Sequence, residues 1–104
     1  MASKGKVYIS APIAGYNLEE RKKYFADMSE RLRVYGYIPV NPMENGLPSS
    51  ADEKAHLRKD FKMLLDCDFI LMCGDWRNSR GCQKESSLSL WVGIEELDKK
   101  DIGL

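Results

Sequence analysis

The sequence predicts an α/β fold in which helices cover both faces of a parallel sheet. Short β-branched and aromatic runs alternate along the chain with longer amphipathic segments. An apolar run at 69–73 is long enough for one fully buried strand. Because the order is β-α-β-α-β-α-β, and parallel strands need helical connections, the sheet is expected to be parallel with right-handed crossovers.

The first half of the chain predicts two strands and a helix. Residues 6–10 are rich in the β-branched and aromatic side chains that favour strands. Asn17 stands three residues before a glutamate, which is the spacing of a capping box, and the helix it begins should end before Gly36. Residues 37–40 form a second strand, and the proline in it predicts a sheet edge because proline cannot donate to a neighbour.

The second half predicts two helices, two strands and a long loop. Residues 41–50 carry turn residues throughout, and long loops in small domains are functional lids or simply mobile. Helices are expected over about 51–65 and 81–91, on either side of the buried strand. Residues 94–97 predict a short fourth strand, and 99–104 are expected to be a loose tail.

The predicted fold has three layers if the first helix packs on one face of the sheet and the second helix packs on the other. The strand order is then 2-1-3-4, that of a flavodoxin- or Rossmann-like sheet of about four strands. The switch point lies between strands one and three, where the loops 10–16 and 74–80 meet. Ligands of open parallel sheets bind at such a point, so we expect the site there.

Length and charge exclude several classes of protein. The 104 residues are expected to form one domain, 1–104, small enough for a partner subunit to help bury surface. Sixteen Lys+Arg balance sixteen Asp+Glu, so no global field draws the chain to nucleic acid or a membrane. No segment resembles a signal peptide or a bilayer span, and we expect a cytoplasmic protein.

The cysteine and histidine content predicts no metal centre. Cys67, Cys73 and Cys82 are odd in number and form no CxxC motif, which fits reduced thiols in a cytosol. His56 is the only histidine, and the spacing does not indicate that the cysteines converge on it.

Glu85 stands in an unusual place for a carboxylate. Leu88, Ser89 and Val92 follow it at three, four and seven residues, which places Glu85 on the inward face of its helix. An ionised, inward glutamate near a helix N-terminus suits a nucleophile or a base. A first-turn glutamate that points to water fits the spacing equally well.

Asp60 and Tyr8 are two other polar side chains that could act together with Glu85. Asp60 lies at the edge of the apolar stripe that its helix is expected to bury, which consists of Leu57, Phe61, Leu64 and Leu65. Paired with Glu85 it would form the two-carboxylate site used on glycosidic bonds. The pattern alone favours a solvated flank or an ion pair with a neighbouring basic residue. The hydroxyl of Tyr8 could reach a carboxylate or a sugar, although such a tyrosine is more often part of a core.

The polar loop before the third helix has the composition of an anion site. Ser79, Arg77, Arg80 and the amide of Gly81 could hold a phosphate at the helix N-terminus. Ser79 could equally be a plain N-cap. Trp76 could stack on a base or simply cover the loop. The loop matches neither a Walker A nor a GxGxxG motif, so by itself it is a weak signal.

These motifs together resemble the nucleoside 2-deoxyribosyltransferase-like superfamily. The resemblance is nearest to a small branch of uncharacterised domains related to 2'-deoxynucleoside 5'-monophosphate N-glycosidases, and it covers nearly the whole chain. It is carried by the order and spacing of YISAPIAG at 8–15, GY at 36–37, NP at 41–42, RKD at 58–60, CD at 67–68, and SRG at 79–81 followed by Glu85.

The resemblance implies roles for particular residues. Glu85 matches the glutamate that attacks C1′ of the sugar, Asp60 the aspartate that assists it or the leaving base, and Tyr8 the tyrosine beside the glutamate. Ser79 matches a serine that binds phosphate in the monophosphate branch. The other residues expected to bind substrate are Ser10, Pro12, Ile13, Gly15, Trp76, Arg80 and Gly81.

The chain departs from its relatives at some of these positions. The monophosphate branch has serine and arginine where Pro12 and Ala14 stand, so phosphate recognition would need Arg77, Arg80 or a neighbouring subunit. The transferases carry an aspartate at the position of Ser79, which favours hydrolysis over transfer. Superfamily members are dimers or larger, so the resemblance implies a homodimer or larger homo-oligomer.

The function predicted is cleavage or transfer at the N-glycosidic bond of a nucleoside or nucleotide, without a cofactor. A module of the same fold that binds or senses a nucleotide without turnover is the alternative. A structural subunit that binds nothing is the third possibility.

Overall fold

The computed structural model describes residues 2–104, in which a four-stranded sheet lies between helices. Three short 3-10 helices complete this part of the chain, at Pro42–Glu44, Trp76–Asn78 and Lys99–Ile102. The strands are β1 (Lys6–Ser10), β2 (Ile38–Val40), β3 (Phe69–Met72) and β4 (Glu95–Glu96), and the helices are α1 (Leu18–Val34), α2 (Glu53–Leu65) and α3 (Arg80–Val92).

The strands pair in the order β2-β1-β3-β4, all parallel, which confirms the predicted topology. Tyr8 stands opposite Val40 on one side and Ile70 on the other. Pro39 lies in an edge strand, as its missing donor requires. β1 and β3 are neighbours, so the loops that follow them leave the same edge of the sheet at the switch point.

The sheet has two faces with separate cores. The α1 face packs Val7 and Ile9 of β1 against the buried side of α1, which includes Phe25 and Leu32. The α2–α3 face packs Tyr8 and other side chains against residues of both other helices. This division follows from the strand period of two, which sends alternate β1 side chains to opposite faces.

Side-chain caps fix where the three helices begin. The side chain of Asn17 accepts a hydrogen bond from the Glu20 amide at 3.0 Å, as the sequence predicts. Asp52 caps α2 through the amide of Ala55 at 2.8 Å. Ser79 caps α3 through the amide of Cys82 at 3.3 Å. Each cap satisfies an amide that has no partner within its own helix.

The expectation of a loose tail at 99–104 is wrong. Ile102 is fully buried in the core of the α1 face, and the carbonyl of Ile102 accepts a hydrogen bond from Arg31 Nη1 at 3.0 Å. β4 has only two residues, so it covers little of the sheet, and the turn after it supplies the missing apolar cover.

Two other details differ from the sequence prediction. Leu65, expected in the buried stripe of α2, is 52% exposed because it lies in the last turn of that helix. Val92, expected to face inward, is 49% exposed at the end of α3. No helix within residues 2–104 is long and apolar enough to cross a membrane.

Candidate active site

A cleft of about 950 Å³ opens at the carboxyl edge of the sheet, where β1 and β3 diverge into their loops. Segments after β1, β2 and β3 form part of its wall, and residues of all three helices form the rest. Its apolar lining includes Pro12, Ile13, Met43, Leu47, Pro48 and Leu57, and its polar lining includes Tyr8, His56, Asp60, Ser79, Arg80 and Glu85.

Glu85 lies at the inner end of this cleft and is only 7% exposed. Ser10 Oγ donates a hydrogen bond to its Oε1 at 2.8 Å, and the hydroxyl of Tyr8 donates to its Oε2. Burial raises the pKa of Glu85 to about 7, although these two hydrogen bonds favour the charged form and act in the opposite direction. A carboxyl group poised near neutrality can serve as a nucleophile or in proton transfer.

The two hydroxyls reach Glu85 because of the strand period. Tyr8 and Ser10 are two residues apart on β1, so both side chains point to the α2–α3 face. Tyr8 is fully buried, and burial followed by the charge of Glu85 raises its pKa well above 10. The phenol therefore stays neutral and remains a donor to the carboxylate at physiological pH.

Asp60 supplies a second carboxyl group to the cleft from the middle of α2. Its Oδ1 accepts a hydrogen bond from Asn45 Nδ2 at 2.9 Å. Burial raises the pKa of Asp60, whereas the hydrogen bond from Asn45 and the nearby His56 lower it. Within residues 2–104 Asp60 forms no ion pair with a neighbouring lysine or arginine, which removes the salt-bridge alternative.

The remaining predicted binding residues separate into two groups. Pro12, Ile13, Ser79, Arg80 and Gly81 line the cleft. Ser10, Gly15 and Trp76 do not belong to its lining.

The position of each of these three residues outside the cleft lining has a physical reason. Ser10 is buried behind Glu85, where its hydroxyl serves the carboxylate. Gly15 takes a positive φ of 85° in the turn before α1, so its place is set by backbone geometry. Trp76 packs against the core of the α2–α3 face with the Arg77 guanidinium 4.6 Å from its ring, because its large apolar surface gains from burial.

The sequence did not single out three residues that shape the cleft. Asn45 and His56 join the loop after β2 to α2 beside Asp60. Arg21 donates to the Pro12 carbonyl at 3.2 Å, and its guanidinium lies 4.5 Å from the rings of Tyr16 and Tyr24. None forms a recognisable motif, because each acts through contacts that depend on loop conformation.

The structure contains no arrangement that would hold a metal ion among residues 2–104, where no group of three or more His, Cys, Asp or Glu side chains converges. The three cysteines are free thiols. Burial raises the pKa of Cys67 and of Cys73 to about 11, so both stay protonated and unreactive at neutral pH.

Comparison with solved structures identifies the fold. The chain is similar to the solved structure of a 2-deoxyribosyltransferase from the psychrotolerant bacterium Bacillus psychrosaccharolyticus, with a TM-score of 0.65 and 24% sequence identity. The match covers 86% of this chain and 67% of that one. The fold is therefore nucleoside 2-deoxyribosyltransferase-like, as the resemblance implied.

A match to a family model shows which family the chain belongs to. Residues 5–96 match the family described as a domain of unknown function (DUF4406), and the chain belongs to that family. No curated protein matches the chain at a significant level.

Proposed function

We propose that this protein cleaves or transfers at the N-glycosidic bond of a nucleoside or nucleotide, with Glu85 as the nucleophile. The observation that carries the proposal is the buried Glu85 carboxyl group, which two hydroxyls hold at the inner end of a cleft on the switch-point edge of the sheet. The fold shared with a 2-deoxyribosyltransferase supports the same chemistry.

The proposed first step forms a bond between a Glu85 carboxylate oxygen and C1′ of the sugar. The C1′–N bond breaks, and its electron pair leaves with the base, which takes a proton from Asp60. Burial raises the pKa of Asp60, and this direction favours the protonated form that the acid role needs. Tyr8 and Ser10 orient the carboxylate without leaving the protein interior.

The proposed second step releases the sugar. Asp60, now ionised, accepts a proton from water, and the water oxygen displaces Glu85 from C1′, which regenerates the free carboxylate. Another base that attacks in place of water would give transfer. No cofactor enters either step.

The segment 79–81 at the start of α3 is the proposed place for the 5′ end of the substrate. Ser79, Arg80 and Gly81 line the cleft there, beside the positive end of the α3 dipole. Pro12 and Ala14 across the cleft offer no charge. A substrate screen should therefore compare nucleosides with their 5′-monophosphates.

The experiment is a mass-spectrometric screen for free base with ribo- and 2′-deoxyribonucleosides and their 5′-monophosphates. We expect the wild type to release base from at least one of them and Glu85→Gln to lose release by on the order of 10³-fold or more. Glu95→Gln is the matched control, because Glu95 is exposed on β4 outside the cleft. Undiminished release by Glu85→Gln would exclude this role for the residue.

A nucleotide-binding or sensing module without turnover is the second candidate. The burial of Glu85 favours it, because burial raises the pKa of this carboxyl group to about 7 and a neutral carboxyl group cannot act as a nucleophile. Nucleotide that raises the melting temperature but stays intact over hours would support this candidate over the enzyme.

We also propose that residues 1–104 act as one domain in a cytoplasmic homodimer or larger homo-oligomer. Leu90 and Trp91 support the assembly, because they leave 78% and 87% of their surface exposed on α3. Analytical ultracentrifugation of the wild type and of Trp91→Glu tests it. We expect the wild type to sediment as an oligomer and the variant to dissociate; a monomeric wild type would contradict the proposal.

A further inference from the structure

Asn45 is almost completely buried, with 6% of its surface exposed, between the loop after β2 and helix α2. Its amide nitrogen donates to Asp60 Oδ1 at 2.9 Å and lies 3.1 Å from His56 Nδ1. Its amide oxygen accepts from the Leu47 backbone at 2.9 Å. Every polar atom of this side chain therefore has a partner, which is expected of a buried amide.

These partners allow only one arrangement of donors and acceptors. The Leu47 amide can only donate, so Asn45 must turn its oxygen toward Leu47 and its nitrogen toward Asp60. The second hydrogen of that nitrogen points to His56 Nδ1, which must then accept. His56 consequently carries its proton on Nε2, which lies 3.2 Å from the carbonyl of Pro48 and donates to it.

A continuous chain of hydrogen bonds thus connects a carboxyl group in the cleft to the backbone of the loop that lines it. It fixes one oxygen of Asp60 and leaves the other, Oδ2, without a hydrogen-bond partner among residues 2–104. The titratable groups coupled to Asp60 are His56 of its own helix, which acts on the pKa of Asp60, and Tyr8 of β1 and Glu85 of α3, whose pKa values Asp60 raises.

We propose that Asn45 is a positioning residue that holds the Asp60 carboxyl group with Oδ2 directed to the cleft, and that His56 locks the Asn45 amide in place. The catalytic consequence rests on the proposed function, in which Asp60 exchanges a proton with the leaving base and with water. The loop is therefore coupled to the acid–base group, beyond its part in shaping the wall of the cleft.

The chain offers a matched control for this inference. Asn41 belongs to the same loop and is 9% exposed, and its side chain also accepts from a backbone amide, that of Met43, at 2.9 Å. The Asn41 amide nitrogen donates to Glu44 and not to Asp60. Asn41→Ala therefore removes a buried loop asparagine of similar structural role without touching the carboxyl group.

The test is the titration of the Asp60 carboxyl carbon by NMR, on protein without substrate, in the wild type, Asn45→Ala and Asn41→Ala. We expect Asn45→Ala to move the titration midpoint of Asp60 upward by about one pH unit, because the charged form loses a donor. Asn41→Ala should leave the midpoint in place. Asn45→Asp is a second, nearly isosteric variant, and its added negative charge should move the midpoint further upward.

The second readout is the steady-state kinetics of base release with the substrate that the screen identifies. We expect Asn45→Ala to lower kcat on the order of 10- to 100-fold with little change in KM, because the acid–base group loses its orientation. An Asp60 midpoint that neither Asn45 variant moves would overturn the inference, as would an unchanged kcat in both. Absence of base release in the wild type would refute only the proposed function, since the NMR titration needs no turnover.

Discussion

The two faces of the sheet have opposite characters. On the α1 face, side chains of β1, β3, α1 and the C-terminal turn form an apolar core. On the α2–α3 face, Tyr8, Ser10 and Glu85 bring polar atoms into the interior beside Cys82 and Ile70. Burying a carboxyl group disfavours its charged form, so the second face gives up stability that the first must supply. One side of this small domain therefore stabilises the fold, while the other bears the candidate chemistry.

The largest effect is expected from a cavity in the α1 face. Phe25 is fully buried there, and Phe25→Ala should lower the free energy of unfolding by about 3–5 kcal/mol. Denaturant unfolding monitors the loss. Val34→Ala, on the same helix but 71% exposed, is the control and should change stability by less than about 0.5 kcal/mol. Similar losses in both variants would refute the assignment of the core to this face.

The next prediction concerns the free energy of unfolding at different pH values, which a substitution of Glu85 should increase where Phe25→Ala lowers it. The pKa of Glu85 rises from 4.5 in the unfolded chain to about 7 in the fold, so the folded state binds a proton more tightly between these pH values. The stability contributed by Glu85 is therefore greatest below pH 4.5 and falls as the pH rises to about 7. Above that pH the charged group costs about 3 kcal/mol.

Glu85→Gln should remove this dependence. Relative to the wild type, the variant should gain up to about 3 kcal/mol at pH 8 and much less at pH 5, measured by denaturant unfolding at both values. Glu95→Gln, on the exposed β4, should show no such difference between the two pH values. A Glu85→Gln variant less stable than the wild type at pH 8 would show that the charge is better stabilised than its burial indicates.

The smallest effect concerns the hydroxyl of Tyr8. If Glu85 acts in its ionised form and Asp60 in its protonated form, kcat/KM should follow a bell-shaped pH profile, in which the midpoint that belongs to Glu85 lies at about 7. Tyr8→Phe removes a hydrogen bond that lowers the pKa of Glu85, so the midpoint should move to higher pH. The Tyr8→Phe profile keeping the wild-type midpoint would mean that the hydroxyl does not act on the ionisation of Glu85.

Local signals were enough for most of the fold. The Asn17 cap, the edge position of Pro39 and the strand order follow from residue spacing and from the rules for parallel sheets. The burial of Ile102 was missed because it depends on how short β4 is and on the space left over α1. A tail of six residues has too little periodicity to reveal such a contact.

The candidate site was predictable to the extent that helix and strand periods determine it. The inward face of Glu85 could be counted along its helix, and the resemblance drew attention to Tyr8 and Asp60. The contact of Asn45 with Asp60 could not be predicted, because it depends on the conformation of the loop 41–50. The sequence left open whether Trp76 stacks on a base or covers its loop, and the structure shows its ring partly buried against the core of the α2–α3 face.

Base release and stability should be measured on the same samples of wild type and Glu85→Gln at pH 8. We expect the variant to lose base release and to become more stable, because one buried carboxylate is both the proposed nucleophile and a cost to the stability of the fold. Base release that survives the substitution, or stability that falls with it, would refute the assignment of Glu85 as a buried nucleophile.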